Sequence, residues 1–227
     1  MNSTVTHSHF CANIIEIGRH KKGTRWVDVA ESVRVIAGLA SCANALTEIR
    51  LINNSSPVII GQSKSIEDEF TRVAALLSSE PSGQTPICAQ LNKIVRKVKK
   101  MEGRLRKSNR NALIFIMTDG TSTDGDVANA LRPLLGFPVQ IIIKIFTDEK
   151  EIIDYWHEVN SSLNLDITIL KNVKDVAGAC ARKNSWLTYG EPLLLLRGFG
   201  VKIPGLDVMS YRQLNRDRIK DVCHILL

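Results

Sequence analysis

Two rhythms of apolar positions alternate along the chain. Short apolar runs rich in β-branched residues predict strands over 12–17, 47–53, 58–61, 112–118, 139–146 and 166–170. Between them, apolar residues recurring every three or four positions predict helices over 26–45, 65–77, 86–101, 126–135, 149–161 and 173–183. Such alternation implies βαβ units and a mainly parallel sheet with helices on both faces. The runs "IIEI", "LIFIM" and "VQIIIKIF" have the continuous apolar character of strands buried on two sides. Only "NSSP" separates the second and third strands, too few residues for a crossover, so this pair is expected to be a hairpin that leaves one antiparallel edge strand. The resulting fold class is α/β, doubly wound, with about six strands in the sheet.

After residue 183 the alternation stops. Gly190, Pro192, Gly198, Gly200, Pro204 and Gly205 interrupt the pattern, and an amphipathic stripe containing Ile219, Val222, Cys223 and Leu226 follows. The expected organisation is a disordered N-terminus over 1–11, a domain over 12–183, and a C-terminal extension over 184–227 packed on that domain.

Composition narrows the function classes. No stretch approaches the ~18 apolar residues of a membrane span, and the N-terminal residues lack the pattern of a secretory signal. An intracellular, cytoplasmic protein without a membrane span is therefore expected. The five cysteines form no CxxC pair, which argues against a zinc site or a disulfide framework. Histidines lack metal-ligand spacing and "GQSKS" is not a GxSxG elbow; no catalytic constellation stands out, and a non-enzymatic role is expected.

The net charge of +7 is concentrated in one segment. Residues 93–110, "KIVRKVKKMEGRLRKSNR", hold nine Lys or Arg against Glu102, giving +8, so the remainder sums to −1. Ile94, Val95, Val98 and Leu105 mark the inward face of this helix. Arg96, Lys97, Lys99, Lys100 and Arg104 are candidate polyanion-binding residues, since such an excess favours phosphate-rich or acidic partners. No aromatic residue lies in the segment, so base stacking has little support there.

Three motifs are placed where strands lead into helices. "MTDGTSTDGD" puts Asp119 at the C-terminal end of a strand, the end that faces the ligand crevice of an open parallel sheet. Asp124 or Asp126 is expected to cap the following helix. Gly120 and Gly125 have P-loop spacing, but Asp126 and Val127 replace the required lysine and hydroxyl. In "GQTPICAQ", Thr85 is either a helix N-cap or a crevice ligand. Asp148 in "FTDEKEIIDYW" is expected to cap the helix beginning near Glu149, and His157 to lie on that helix's surface.

The element order, with "GTRW", "GQTP" and "MTDG" at the strand-to-helix turns, resembles the von Willebrand factor type A (vWA) domain family over about residues 12–183. The resemblance implies a metal-ion-dependent adhesion site built from DxSxS after the first strand, a threonine in the GxTP-like turn, and an aspartate in the TDG-like turn. Here the first motif reads E-I-G-R-H: Glu16 stands for the aspartate, and Gly18 and His20 for the serines. Gly18 offers no oxygen, a His20 nitrogen suits Mg²⁺ poorly, and Arg19, Lys21 and Lys22 oppose a cation. Glu16, Thr85 and Asp119 are the residual metal positions, and no metal or other cofactor is expected. The resemblance then implies a protein-interaction module in which Arg19, His20, Lys21, Thr85 and Asp119 meet an acidic protein partner. The alternative is a nucleic-acid or other polyanion-binding protein that uses residues 93–110.

Overall fold

The computed structural model describes residues 10–15, 25–53, 56–63, 65–78, 83–171, 173–198 and 204–226. The chain divides into two compact units, Met1–Ile169 and Leu170–Leu227.

The first unit is mixed α/β. Its elements run β1 (Phe10–Ile15), α1 (Arg25–Cys42), β2 (Leu46–Leu51), β3 (Val58–Ile60), α2 (Ile66–Leu77), α3 (Ile87–Lys107), β4 (Ala112–Thr118), α4 (Val127–Leu131), β5 (Val139–Ile145), α5 (Lys150–Ser161) and β6 (Ile167–Leu170). The strands lie in the order β3-β2-β1-β4-β5-β6. β1 pairs parallel with both β2 and β4, and β4 parallel with β5; β3 pairs antiparallel with β2 through Thr47↔Ile60, Glu48↔Ile59 and Ile49↔Val58. The antiparallel pairing of β2 with β3 is the edge that so short a connection requires.

β4 is buried along its whole length because apolar layers cover both faces. On one face Ile114, Ile116, Ile141, Ile143 and Ile145 share a core with Leu91, Ile94, Val95 and Val98 of α3, Val127 and Leu131 of α4, and Trp156 and Val159 of α5. On the other, Lys144 of β5 donates to Ser32 Oγ of α1 at 2.8 Å. This buried lysine lies inside the apolar run "VQIIIKIF", and its ammonium also stands 5.0 Å from the Phe146 ring centroid. Residues alternate across a strand, so Glu48 and Arg50 of β2 share a face. The buried Glu48 carboxylate is ion-paired with Arg50 and with Lys97 of α3.

Two polar devices tie the hairpin edge to its helices. Ser65 caps α2 by accepting from the Asp68 N–H. Glu69 of α2 is 2 % exposed; it accepts from Gln62 N–H at 3.0 Å, Ser63 N–H at 2.8 Å and the Ser41 hydroxyl at 2.6 Å. Burial alone would raise its pKa, but these donors hold the carboxyl at about 2 instead of 4.5. Gly61, at φ +78°, completes the turn, and a Cβ there would stand 2.1 Å from the Ala45 carbonyl oxygen.

The predicted helix over 126–135 is shorter than expected, because α4 gives way to a 3-10 turn at Arg132–Leu134, where Pro133 removes a backbone donor. The second unit holds α6 (Val173–Lys183), α7 (Glu191–Gly198), α8 (Pro204–Val208) and α9 (Arg216–Leu226). Buried Asn184 organises it, donating through Nδ2 to the Met209 and Arg212 carbonyls at 2.8 and 3.0 Å and accepting at Oδ1 from Leu214 N–H at 2.8 Å. Gly205 lets α8 and α9 approach: a Cβ there would lie 2.6 Å from Val222 Cγ2 and 2.9 Å from the Arg218 carbonyl oxygen.

Candidate functional site

The strand order reverses its progress between β1 and β4, and in open α/β sheets the crevice beyond the strand C-termini at that point receives ligands. The turn after β4 is held from three sides. Thr118 Oγ1 accepts from the Gly120 N–H at 3.1 Å, and the buried Trp156 of α5 donates its indole N–H to the Gly120 carbonyl at 3.0 Å. The "GQTP" turn is clasped to the same loop: Thr85 N–H donates to Thr123 Oγ1 at 3.1 Å, and Thr123 N–H returns a bond to the Thr85 carbonyl at 3.0 Å. The structure therefore brings Thr85, 8 % exposed, into one assembly with the loop that follows Asp119.

The acids of this loop divide their roles. Asp126 caps α4, accepting from Ala128 and Asn129 N–H. Asp124 instead reaches the start of α3, where Oδ1 accepts from Cys88 N–H at 3.0 Å and Oδ2 from Ala89 N–H at 2.8 Å. Thr85 is not the N-cap of α3; Pro86 occupies that position without a side-chain cap, and the donors it leaves are satisfied across the loop. Burial would raise the Asp124 carboxyl, but the Ser122 hydroxyl and the Ala89 and Cys88 N–H groups outweigh it and hold the group below its ordinary value. Its negative charge already occupies the positive end of the α3 dipole.

Cys88 lies beside the same carboxylate. Burial pushes this thiol up, the carboxylates of Asp124 and Asp126 push it further, and the 3.4 Å contact with Ser122 Oγ opposes them. A helix N-terminus usually favours a thiolate; here burial, aided by the neighbouring carboxylates, favours the protonated thiol.

Asp119, with a side chain only 10 % exposed, faces Arg25 at the first position of α1. Arg25 Nη1 stands 3.5 Å from Asp119 Oδ2 and Nη2 stands 3.7 Å from Glu149 Oε1, so one guanidinium spans the turns after β4 and β5. An ion approaching Asp119 would meet the positive charge of Arg25. Among the described residues no group of three His, Cys, Asp or Glu could hold a metal ion. Arg25 was legible only as part of "GTRW"; its placement at the mouth of two strand ends follows from the sheet order.

Other expected site residues fall variously. Glu16, Gly18, Arg19, His20 and Lys21 lie outside the described residues. Asp148 is exposed and is not a cap: Glu149 holds the N-cap position of α5, and its N–H donates to Thr147 Oγ1 at 3.2 Å. His157 is exposed on α5 as expected. Arg96, Lys99, Lys100 and Arg104 are exposed on α3, whereas Lys97 is half-buried and turned to Glu48. A cleft between α4 and α5 is lined by Asp126, Arg132, Tyr155 and Glu158, and so carries both signs of charge.

Among the described residues no helix is long and apolar enough to cross a membrane. No protein-family model and no curated protein matches this sequence.

Proposed function

We propose that the chain is a non-enzymatic interaction module of vWA type, with a doubly wound six-stranded domain whose adhesion site binds a partner without Mg²⁺. The strand order β3-β2-β1-β4-β5-β6 with an antiparallel edge supports the doubly wound reading. The observation that carries the functional reading is Arg25, whose guanidinium lies between Asp119 and Glu149 where a metal-dependent site would need a cation. A positive side chain in that place offsets the charge of Asp119 without an ion. With Arg19, His20 and Lys21 shortly before Arg25 in the sequence, the natural complement is an acidic group on a protein partner, intracellular by the same reading.

Millimolar Mg²⁺ or Mn²⁺ should then leave the thermal midpoint unchanged. An ion that binds only the native state stabilises it by about 2.7 kcal/mol at a hundredfold excess over Kd, so a rise of several degrees would overturn the metal-free reading. For the partner, affinity capture with mass spectrometry should recover a protein with the wild type that an Arg19→Ala/His20→Ala/Lys21→Ala variant loses. Identical recovery by both chains would remove this turn from the function.

A further inference from the structure

Helix α3 spans Ile87–Lys107, and its buried residues Leu91, Ile94, Val95, Val98 and Leu105 define one side. At ~100° per residue, Lys93, Arg96, Lys100, Arg104 and Lys107 fall in a band centred opposite that side. All five are exposed. Their spacings of three, four, four and three residues make a straight row about 21 Å long, with neighbouring charges about 4.5–6 Å apart along the axis. Lys99 and Arg106 flank the row.

The acids beside this helix are already engaged. Glu102 is paired with Arg106 at 2.9 Å, and Glu48 with Arg50 and Lys97. Among the described residues no ion pair involves Lys93, Arg96, Lys100, Arg104 or Lys107. The buried apolar side of α3 sets its rotation, so the row keeps one orientation. Holding five like charges in a row costs repulsion that an acidic neighbour would relieve; the fold leaves that relief to a partner.

We infer that this row binds the phosphodiester backbone of double-stranded nucleic acid, without reading base sequence. A rigid duplex carries one negative charge per ~1.7 Å of axis, a straight and dense counterpart to a straight row of cations. Single strands are usually held by stacking bases on aromatic side chains, and the segment 93–110 contains none. A membrane surface would be met by apolar residues between the cations; the row has Gly103 and polar neighbours there instead. Contacts confined to phosphates fix position and carry no sequence information. This inference is independent of the proposed adhesion-type site, which lies on other residues.

Fluorescence anisotropy with two labelled duplexes of unrelated sequence tests it, using the full chain. Five neutralised phosphates give a slope of log K against log salt of about −4.5, hence about a 500-fold loss of affinity between ~50 and ~200 mM salt. The two duplexes should bind alike, and a labelled single strand, a polyglutamate peptide and phosphatidylserine vesicles should bind at least tenfold more weakly. Lys100→Gln/Arg104→Gln should flatten the slope to about −2.7, and the variant with all five positions changed to Gln should abolish binding while circular dichroism stays unchanged and the melting temperature stays equal or rises as the repulsion is removed. Absence of duplex binding at ~50 mM salt would overturn the inference. So would undiminished binding by a folded five-Gln variant, a tenfold preference between duplexes, or tighter binding to the peptide or vesicles.

Discussion

Replacing Glu69 with Gln removes one negative charge while leaving an oxygen able to accept from Gln62 and Ser63 N–H. The carboxylate is buried, and its pKa lies near 2 instead of 4.5 because the Ser41 hydroxyl and the backbone donors outweigh the penalty of burial. A depressed carboxyl pKa stabilises the fold above the unfolded value, and that contribution disappears as pH falls through the folded one. The shift of 2.5 units is worth about 3 kcal/mol at 1.36 kcal/mol per unit. For one titrating group the wild type should exceed Glu69→Gln by about 3 kcal/mol at pH 6, by about 1.5 at pH 3, and by less than ~0.5 at pH 2. Urea denaturation followed by tryptophan fluorescence, run on both chains at these pH values, measures the difference directly. A gap that persists undiminished to pH 2, or no gap at pH 6, would refute the account of Glu69 as an ionised clasp between α2, the hairpin exit and α1.

Two further substitutions probe neighbouring features. Gly61→Ala combines a left-handed backbone with a Cβ 2.1 Å from the Ala45 carbonyl oxygen, and should cost about 3 kcal/mol in the same denaturation assay; a loss under ~0.5 kcal/mol would show that the turn relaxes freely. Lys97→Gln should cost about 1.5–3 kcal/mol, because it removes a charged hydrogen bond from buried Glu48, whereas Lys100→Gln on the exposed row should stay within ~0.5 kcal/mol; equal effects would contradict the assignment of these two lysines to different faces.

Local periodicity sufficed for most elements. The strand over 112–118 and the helix over 173–183 were legible to the residue, and Ser65 was legible as the start of α2, because each depends on neighbours within a turn or a pleat. The antiparallel edge was equally readable, since a four-residue link cannot make a crossover. The concentration of charge in 93–110 was legible as well, but only the packing of α3 separated Lys97 from the exposed row. What the sequence left undecided were the partners of its charged side chains. Asp124 or Asp126 is the expected cap of the helix after them, and Asp126 fills that role; the contact of Asp124 with the start of α3, whose Cys88 N–H lies 36 positions earlier, was not readable. Lys97 looked like one more surface cation, and its partner Glu48 is 49 positions away; Lys144 sits in an apolar run, and Ser32 lies 112 positions away. Arg25 finds Asp119 and Glu149 only because α1 begins beside the C-terminal ends of β4 and β5. Backbone conformation follows from interactions a few residues long, whereas a buried charge must find whichever opposite charge or donor the strand order brings within reach, and that order exists only once the chain has folded.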